Sequence, residues 1–174
     1  MAITKIQSES LNLSDTYDFT GTVTGAGGNM TPVFSARRSA DTSISDATNT
    51  KVTFDTEIID SNSAFSDSKF TVPSGSNGTY WIKSQICCYG GAANALGSIQ
   101  FSLYKNGSSV NYSYIDPYTG NQEQDGMITY QNVLDLVAGD YLEMYVNINS
   151  TTGASPVING NNRQSIFSGY KIIT

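Results

Sequence analysis

KVTFDTEIIDSNSAFSDSKFTVPSGSNGTYWIKSQICCY, residues 51–89, is the stretch whose reading decides the fold. Its last third alternates. Tyr80, Ile82, Ser84, Ile86 and Cys88 fall on one side of an extended chain, because successive side chains of a strand point to opposite faces. Lys51 to Asp55 and Phe65 to Val72 read as two earlier strands, and Pro73 to Gly78 is a Gly- and Ser-rich turn between the second of them and the long strand. No amphipathic helix fits this segment.

The pattern continues on both sides. Val33 to Arg38 is an upstream strand. Ile99, Phe101 and Leu103 form an apolar row that ends in Asn106-Gly107, a pair suited to a hairpin turn with positive φ. Val110, Tyr112 and Tyr114 return from that turn. Ile128, Tyr130, Leu134 and Leu136 share a parity, Ala138-Gly139-Asp140 makes a second tight turn, and Leu142, Met144, Val146 and Ile148 follow as a half-buried strand. Ile166 to Ile173 closes the series. Short strands at this spacing predict an all-β protein, an antiparallel jelly-roll sandwich.

Composition agrees. Eleven Tyr and seven Phe suit pleated, half-buried surfaces. Nine Lys and Arg against fifteen Asp and Glu give a net charge of −6, which opposes simple electrostatic binding to nucleic acid or to an anionic membrane surface. No stretch is apolar enough to insert in a membrane as a helix. Histidine is absent, which removes the commonest general base and metal ligand. No catalytic residue, cofactor site or metal site is assigned. Asp116, Glu123 and Asp125, or Asp41 and Asp46, read first as solvated loop carboxylates and second as a weak calcium site, without diagnostic spacing. Cys87 and Cys88 are adjacent, so their side chains diverge and a bridge between them is strained. Both read as free thiols.

Phe54, Asp60, Phe65, Gly78 and Tyr80, with Phe70-Thr71-Val72-Pro73, stand at intervals that resemble the globular head of complement component 1q. That family shares its jelly roll with tumour necrosis factor. Leu103-Tyr104-Lys105-Asn106-Gly107, Leu136 to Asp140 and Phe167-Ser168-Gly169-Tyr170 extend the resemblance over about residues 31–174. Val72 and Ile82 stand where the family pattern has aromatics. The resemblance implies a non-enzymatic homotrimer, with some of Phe34, Tyr80, Phe167 and Tyr170 lining the subunit interface. The residues alone leave open the other place for these rings, inside the monomer's own sandwich.

Residues 1–30 read as a separate anchor or stem. Ile3, Ile6, Leu11, Leu13 and Phe19 supply strand-like alternation with too little apolar mass for a core, and Gly25-Ala26-Gly27-Gly28 is a flexible joint before the head at 31–174. This short extended N-terminal segment resembles the N-terminal parts of phage fibre and virion-decoration proteins. The N-terminus carries no secretory pattern.

The connections sort by length. Pro73–Gly78, Lys105–Ser108 and Ala138–Asp140 are short and should lie at one end with the termini. Ser39–Thr50, Tyr89–Gly97, Asp116–Asp125 and Asn149–Arg163 are long and should form a tip at the other. Asp116, Tyr118, Asn121, Asn149, Asn159 and Asn161 are the candidate recognition residues there. The expectation is a phage virion structural protein, a tail fibre or capsid decoration. Other virion proteins would hold residues 1–30, the tip would bind a host-surface glycan or protein, and the location would be the virion, after synthesis in the host cytoplasm. A cellular adhesion or lectin-like module is the alternative, and a carboxylate-dependent hydrolase is a third reading.

Overall fold

The computed structural model describes residues 30–116, 123–160 and 165–172, so the segment 1–29, with its anchor residues Ile3, Ile6, Leu11, Leu13 and Phe19, lies outside the description. The described residues form two antiparallel sheets and no α-helix. The strands in chain order are β1 (Val33–Arg37), β2 (Thr42–Ser43), β3 (Thr50–Lys51), β4 (Thr56–Asp60), β5 (Phe65–Ser66), β6 (Lys69–Thr71), β7 (Gly78–Tyr89), β8 (Leu96–Lys105), β9 (Ser108–Ile115), β10 (Asp125–Leu136), β11 (Tyr141–Ser150), β12 (Val157–Asn159) and β13 (Ile166–Lys171). The first sheet runs β2-β12-β7-β13-β1-β4, with β10 along the other side of β7. The second runs β5-β6-β11-β8-β9, with β3 against β11. The jelly-roll sandwich expected from the alternation is therefore present.

Parity decides what fills the space between the sheets. Tyr80, Ile82, Ile86 and Cys88 of β7 are fully buried, as are Ile99, Phe101 and Leu103 of β8 and Leu142, Met144, Val146 and Ile148 of β11. At one end of this core six aromatic rings meet. Phe34 stacks on Phe70 (4.4 Å between ring centroids) and on Phe65 (5.4 Å), and meets Phe167 edge-on at 4.9 Å. Phe54 and Tyr80 complete the group. Gly169 of β13 lies against it. A Cβ there would come within 2.7 Å of the Ile82 side chain and 2.9 Å of the Phe34 ring. Only glycine fits this close approach without repacking.

One expected strand is in fact a hairpin. Phe65 to Val72 splits into β5 and β6, because Asp67 and Ser68 both take left-handed φ (50° and 55°). The turn lacks the Asn-Gly signal that marks such a reversal in sequence. Tertiary contacts hold it instead. The Ser68 hydroxyl accepts the Phe54 N–H at 2.8 Å, and Lys51 Nζ donates to the Asp67 carbonyl at 2.9 Å.

The short turns gather at one end. Asn106 and Gly107 both have positive φ, as the sequence demands. Asn106 Nδ2 donates to Asp140 Oδ1 (2.7 Å), the Tyr141 N–H donates to Asn106 Oδ1 (2.9 Å), and the Ala138 N–H donates to Asn77 Oδ1 (2.7 Å). Residues near both ends of the described head lie there too, since the Lys171 N–H donates to the Pro32 carbonyl and the Ile172 N–H to that of Thr79. The described parts of the long connections are knitted together at the opposite end. Asp41 Oδ1 accepts from Gly160 N–H, Asp46 Oδ1 from Ser150 N–H, and Ser150 Oγ donates to the Gly90 carbonyl.

Asp140 is the hub of the short-turn end. The Lys105 ammonium at 2.8 Å, the Val137 N–H and the Asn106 amide hold its carboxyl down at about 2. A carboxylate depressed below its ordinary value near 3.8 stabilises the fold fully above that value, and the contribution disappears as pH falls toward about 2. Asp140→Asn should therefore cost about 2 kcal/mol at pH 7 in urea unfolding, the scale of hydrogen bonds to a charged group. The difference from the parent should shrink below about pH 4. A difference that stays constant down to pH 2.5 would contradict this role.

Candidate functional site

If the even-numbered side chains of β7 face the core, the odd-numbered ones face away from it. Cross-strand pairing assembles them into rows on the outward face of the first sheet. The row nearest the short-turn end is Val133–Trp81–Tyr170–Val33, across β10, β7, β13 and β1. It is apolar, with the Trp81 and Tyr170 rings 5.4 Å apart and Val133 half exposed. The next row is Gln131–Lys83–Ser168–Ser35, followed by Ile59 of β4. The third is Thr129–Gln85–Ile166–Arg37. Met127, opposite Cys87, adds exposed apolar surface toward the long-loop end.

This placement corrects part of the interface expected from sequence. Phe34, Tyr80 and Phe167 have no exposed surface. They join the two sheets within one chain, so they cannot also line a contact between chains. Of the four rings proposed, only Tyr170 points outward, beside Trp81. Sequence reasoning missed Trp81 and Val133. The signal was present: once Tyr80 and Ile82 are assigned to the core, Trp81 must stand on the opposite face, where solvent alone is a poor neighbour for an indole.

The tip residues divide similarly. Asp116 and Asn149 are exposed. Asn159 is buried beside Cys87 in register, with its side-chain oxygen unpaired among the described residues. Burial removes Asn159 from any solvent-facing recognition surface. Tyr118, Asn121 and Asn161 lie outside the described residues. Asp41 and Asp46 are staples between loops, and the described residues hold no group of three or more acidic or thiol side chains arranged for a metal ion. Arg38 is a further staple. Its guanidinium is nearly buried, bonds Thr42 and Thr53, and is shifted down by desolvation.

A family model described as the C1q domain matches residues 33–172. The chain belongs to the C1q-domain family. Among solved structures it is similar to the globular domain of zebrafish complement 1qA protein, at 17% identity over 81% of this chain and 97% of that one, with a TM-score of 0.53. It is also similar to murine APRIL, at 12% identity over 80% of this chain and 98% of that one, with a TM-score of 0.56. At such identities the likeness shows the fold alone. No curated protein sequence matches the chain. C1q-like and tumour necrosis factor-like domains are typically non-enzymatic recognition modules and commonly homotrimeric.

The cysteines fit a structural role. Neither is in a disulfide and both are buried, and burial pushes the Cys88 thiol up to about 12, with Cys87 and Asp125 adding to the shift. Since the thiolate is the nucleophile, Cys88 in the folded protein should stay unmodified by iodoacetamide at pH 8 and react once the chain is denatured. Peptide mapping after alkylation checks this, and rapid native labelling of Cys88 would overturn it.

Proposed function

We propose that the chain is a trimeric, non-enzymatic recognition head on a virion appendage, either a tail fibre or a capsid decoration. The observation that carries the trimer is the Val133–Trp81–Tyr170–Val33 row. It lays a four-strand apolar band, with two large aromatics, on the side of a sheet that turns away from its own core. Bands of this kind mark protein contact surfaces. Three copies packed on that face bury it. Membership of a commonly homotrimeric family supports the same reading.

The described parts of the long connections meet at the end remote from Pro32. A segment preceding Met30 therefore enters at the foot of the head. It attaches to other virion proteins while the tip faces outward. A trimer presents three tips, so weak contacts with a host-surface glycan or protein combine into avidity. The virion placement draws on the resemblance of residues 2–25 to phage fibre and decoration proteins. A cellular adhesion module with the same tip is the second reading, favoured equally by the C1q match.

Light scattering on the full-length chain should give the mass of three chains. Trp81→Glu combined with Val133→Lys should reduce this to one chain without loss of the β-sheet circular dichroism signal. A monomeric parent, or a double variant that stays trimeric, removes this face as the interface. Location is tested separately. Quantitative proteomics should find the chain enriched in purified particles from the source culture. Its presence only at the surface of uninfected cells would replace the virion reading with the adhesion one.

A further inference from the structure

Six of the ten exposed large hydrophobic side chains among the described residues stand on two strands. They are Val110, Tyr112, Tyr114 and Ile115 of β9 and Met127 and Val133 of β10. Each strand lies at the open side of its sheet: among the described residues β9 pairs with β8 alone and β10 with β7 alone. Such an edge offers a row of free backbone N–H and C=O groups to any extended chain, and proteins commonly blunt it with lysine, proline or a very short strand. β9 and β10 are eight and twelve residues long and contain no lysine, arginine or proline. By composition both are adhesive edges.

Side chains meet the edge groups instead. Asn111 Oδ1 accepts the Tyr112 N–H at 2.8 Å, and Asn132 Oδ1 accepts the Val133 N–H at 2.8 Å, both at exposed positions. Asn132 Nδ2 also donates to the Tyr130 hydroxyl at 3.1 Å, which fixes the amide with its oxygen toward Val133. An N–H held by its own neighbour's side chain is not spent on the partner strand, so it points to the open side. Thr129 has the parity of Val133, and its carbonyl accepts from Ser113 Oγ at 2.9 Å. The capped side of β10 is therefore the one turned toward β9. The two strands approach there without forming a ladder among the described residues.

We propose that Asn111 and Asn132 close these two edges to strand addition, and that the occupant they exclude is an extended strand of a second copy of this chain. A strand joining an antiparallel edge takes up the edge-facing N–H groups at every second residue. A donor already bonded inside the run interrupts that ladder. The incoming strand must displace the asparagine amide or leave one of its own carbonyls unpaired, and either costs free energy. The two side chains thus do what lysine or proline does on other edges, and they add no charge to an apolar surface. The inference is independent of the trimer reading, because any excess assembly is judged against the mass of the parent protein.

Residue-resolved amide exchange on the full-length protein reads the caps directly. Tyr114 and Gln131 lie two residues from Tyr112 and Val133, so their N–H groups turn to the same side. After correction for intrinsic rates, the Tyr112 and Val133 amides should exchange about fivefold more slowly than those two, the scale of one hydrogen bond. Asn111→Ala should remove the protection at Tyr112 alone, and Asn132→Ala that at Val133 alone. Light scattering should show the double variant growing beyond the parent's mass as concentration rises, with the Tyr114 and Gln131 amides becoming protected in the enlarged particles. Thermal melting checks that the variant is folded, and the single variants are read in the same way where the double one is not. Tyr112 and Val133 amides that exchange as fast as those of Tyr114 and Gln131 overturn the caps. Folded variants that keep the parent's mass at every concentration overturn the blocking role. Growth that leaves Tyr114 and Gln131 unprotected overturns it as well, and assigns the assembly to side-chain contacts.

Discussion

The stack of Phe34 between Phe65 and Phe70, closed edge-on by Phe167, is the contact on which the rest of the head depends. Phe34 and Phe167 belong to the first sheet, Phe65 and Phe70 to the second. The cluster therefore joins the layers between the five-residue β1 and the two- and three-residue β5 and β6. Aromatic pairs contribute about 0.5–1.5 kcal/mol beyond simple burial, and several share one ring here. The cluster also fixes the chain register. Gly169 is the only residue type that fits beside Phe34 and Ile82, so β13 can meet β1 and β7 in one alignment.

From that register the composition of the outward face follows. With Phe167 and Gly169 turned inward, Ile166, Ser168 and Tyr170 must turn outward, and pairing aligns them with Gln85, Lys83 and Trp81. The outward face of the first sheet is thus the complement of the core. An apolar row and a donor-rich row lie one pleat apart because β7 alternates Trp81 and Lys83 on the side away from the sandwich. One alternation in one strand specifies both the layer that packs between the sheets and the layer turned away from them.

Much of the architecture was legible in the sequence because period-two patterning is a strong signal in strands with one buried face. β7, β8 and β11 show it over ten or twelve residues. The hairpin inside Phe65–Val72 was not legible, since its turn is held by Phe54 and Lys51, residues more than a dozen positions away. The two-residue β2 and three-residue β12 escaped for a similar reason. Each is defined by its partner strand and by no pattern of its own. At the site, identifying rings was easier than orienting them. Family resemblance pointed to aromatics at the interface, but Phe34, Tyr80 and Phe167 carry the parity of the core, and Trp81 carries the parity of the surface.

The two ends of the head hold their loops by different physics, and this bears on which end can vary. At the short-turn end one carboxylate, Asp140, receives an ammonium, a backbone N–H and a side-chain amide, so the Lys105–Ser108 and Ala138–Asp140 turns converge on a single charge-assisted hub. At the long-loop end the hydrogen bonds are dispersed. Asp41, Asp46 and Ser150 each secure one neighbour through a backbone group. A backbone acceptor or donor is supplied by nearly any residue type, so side chains along the loops can change while the staples persist. The hub end, which receives the chain at Pro32, depends on particular side chains, because losing Lys105 leaves the Asp140 charge without its ion-pair partner and losing Asn106 removes one of its hydrogen bonds. A head pinned at its foot by one charged hub and stapled at its tip through backbone groups has its permissive positions in the long loops.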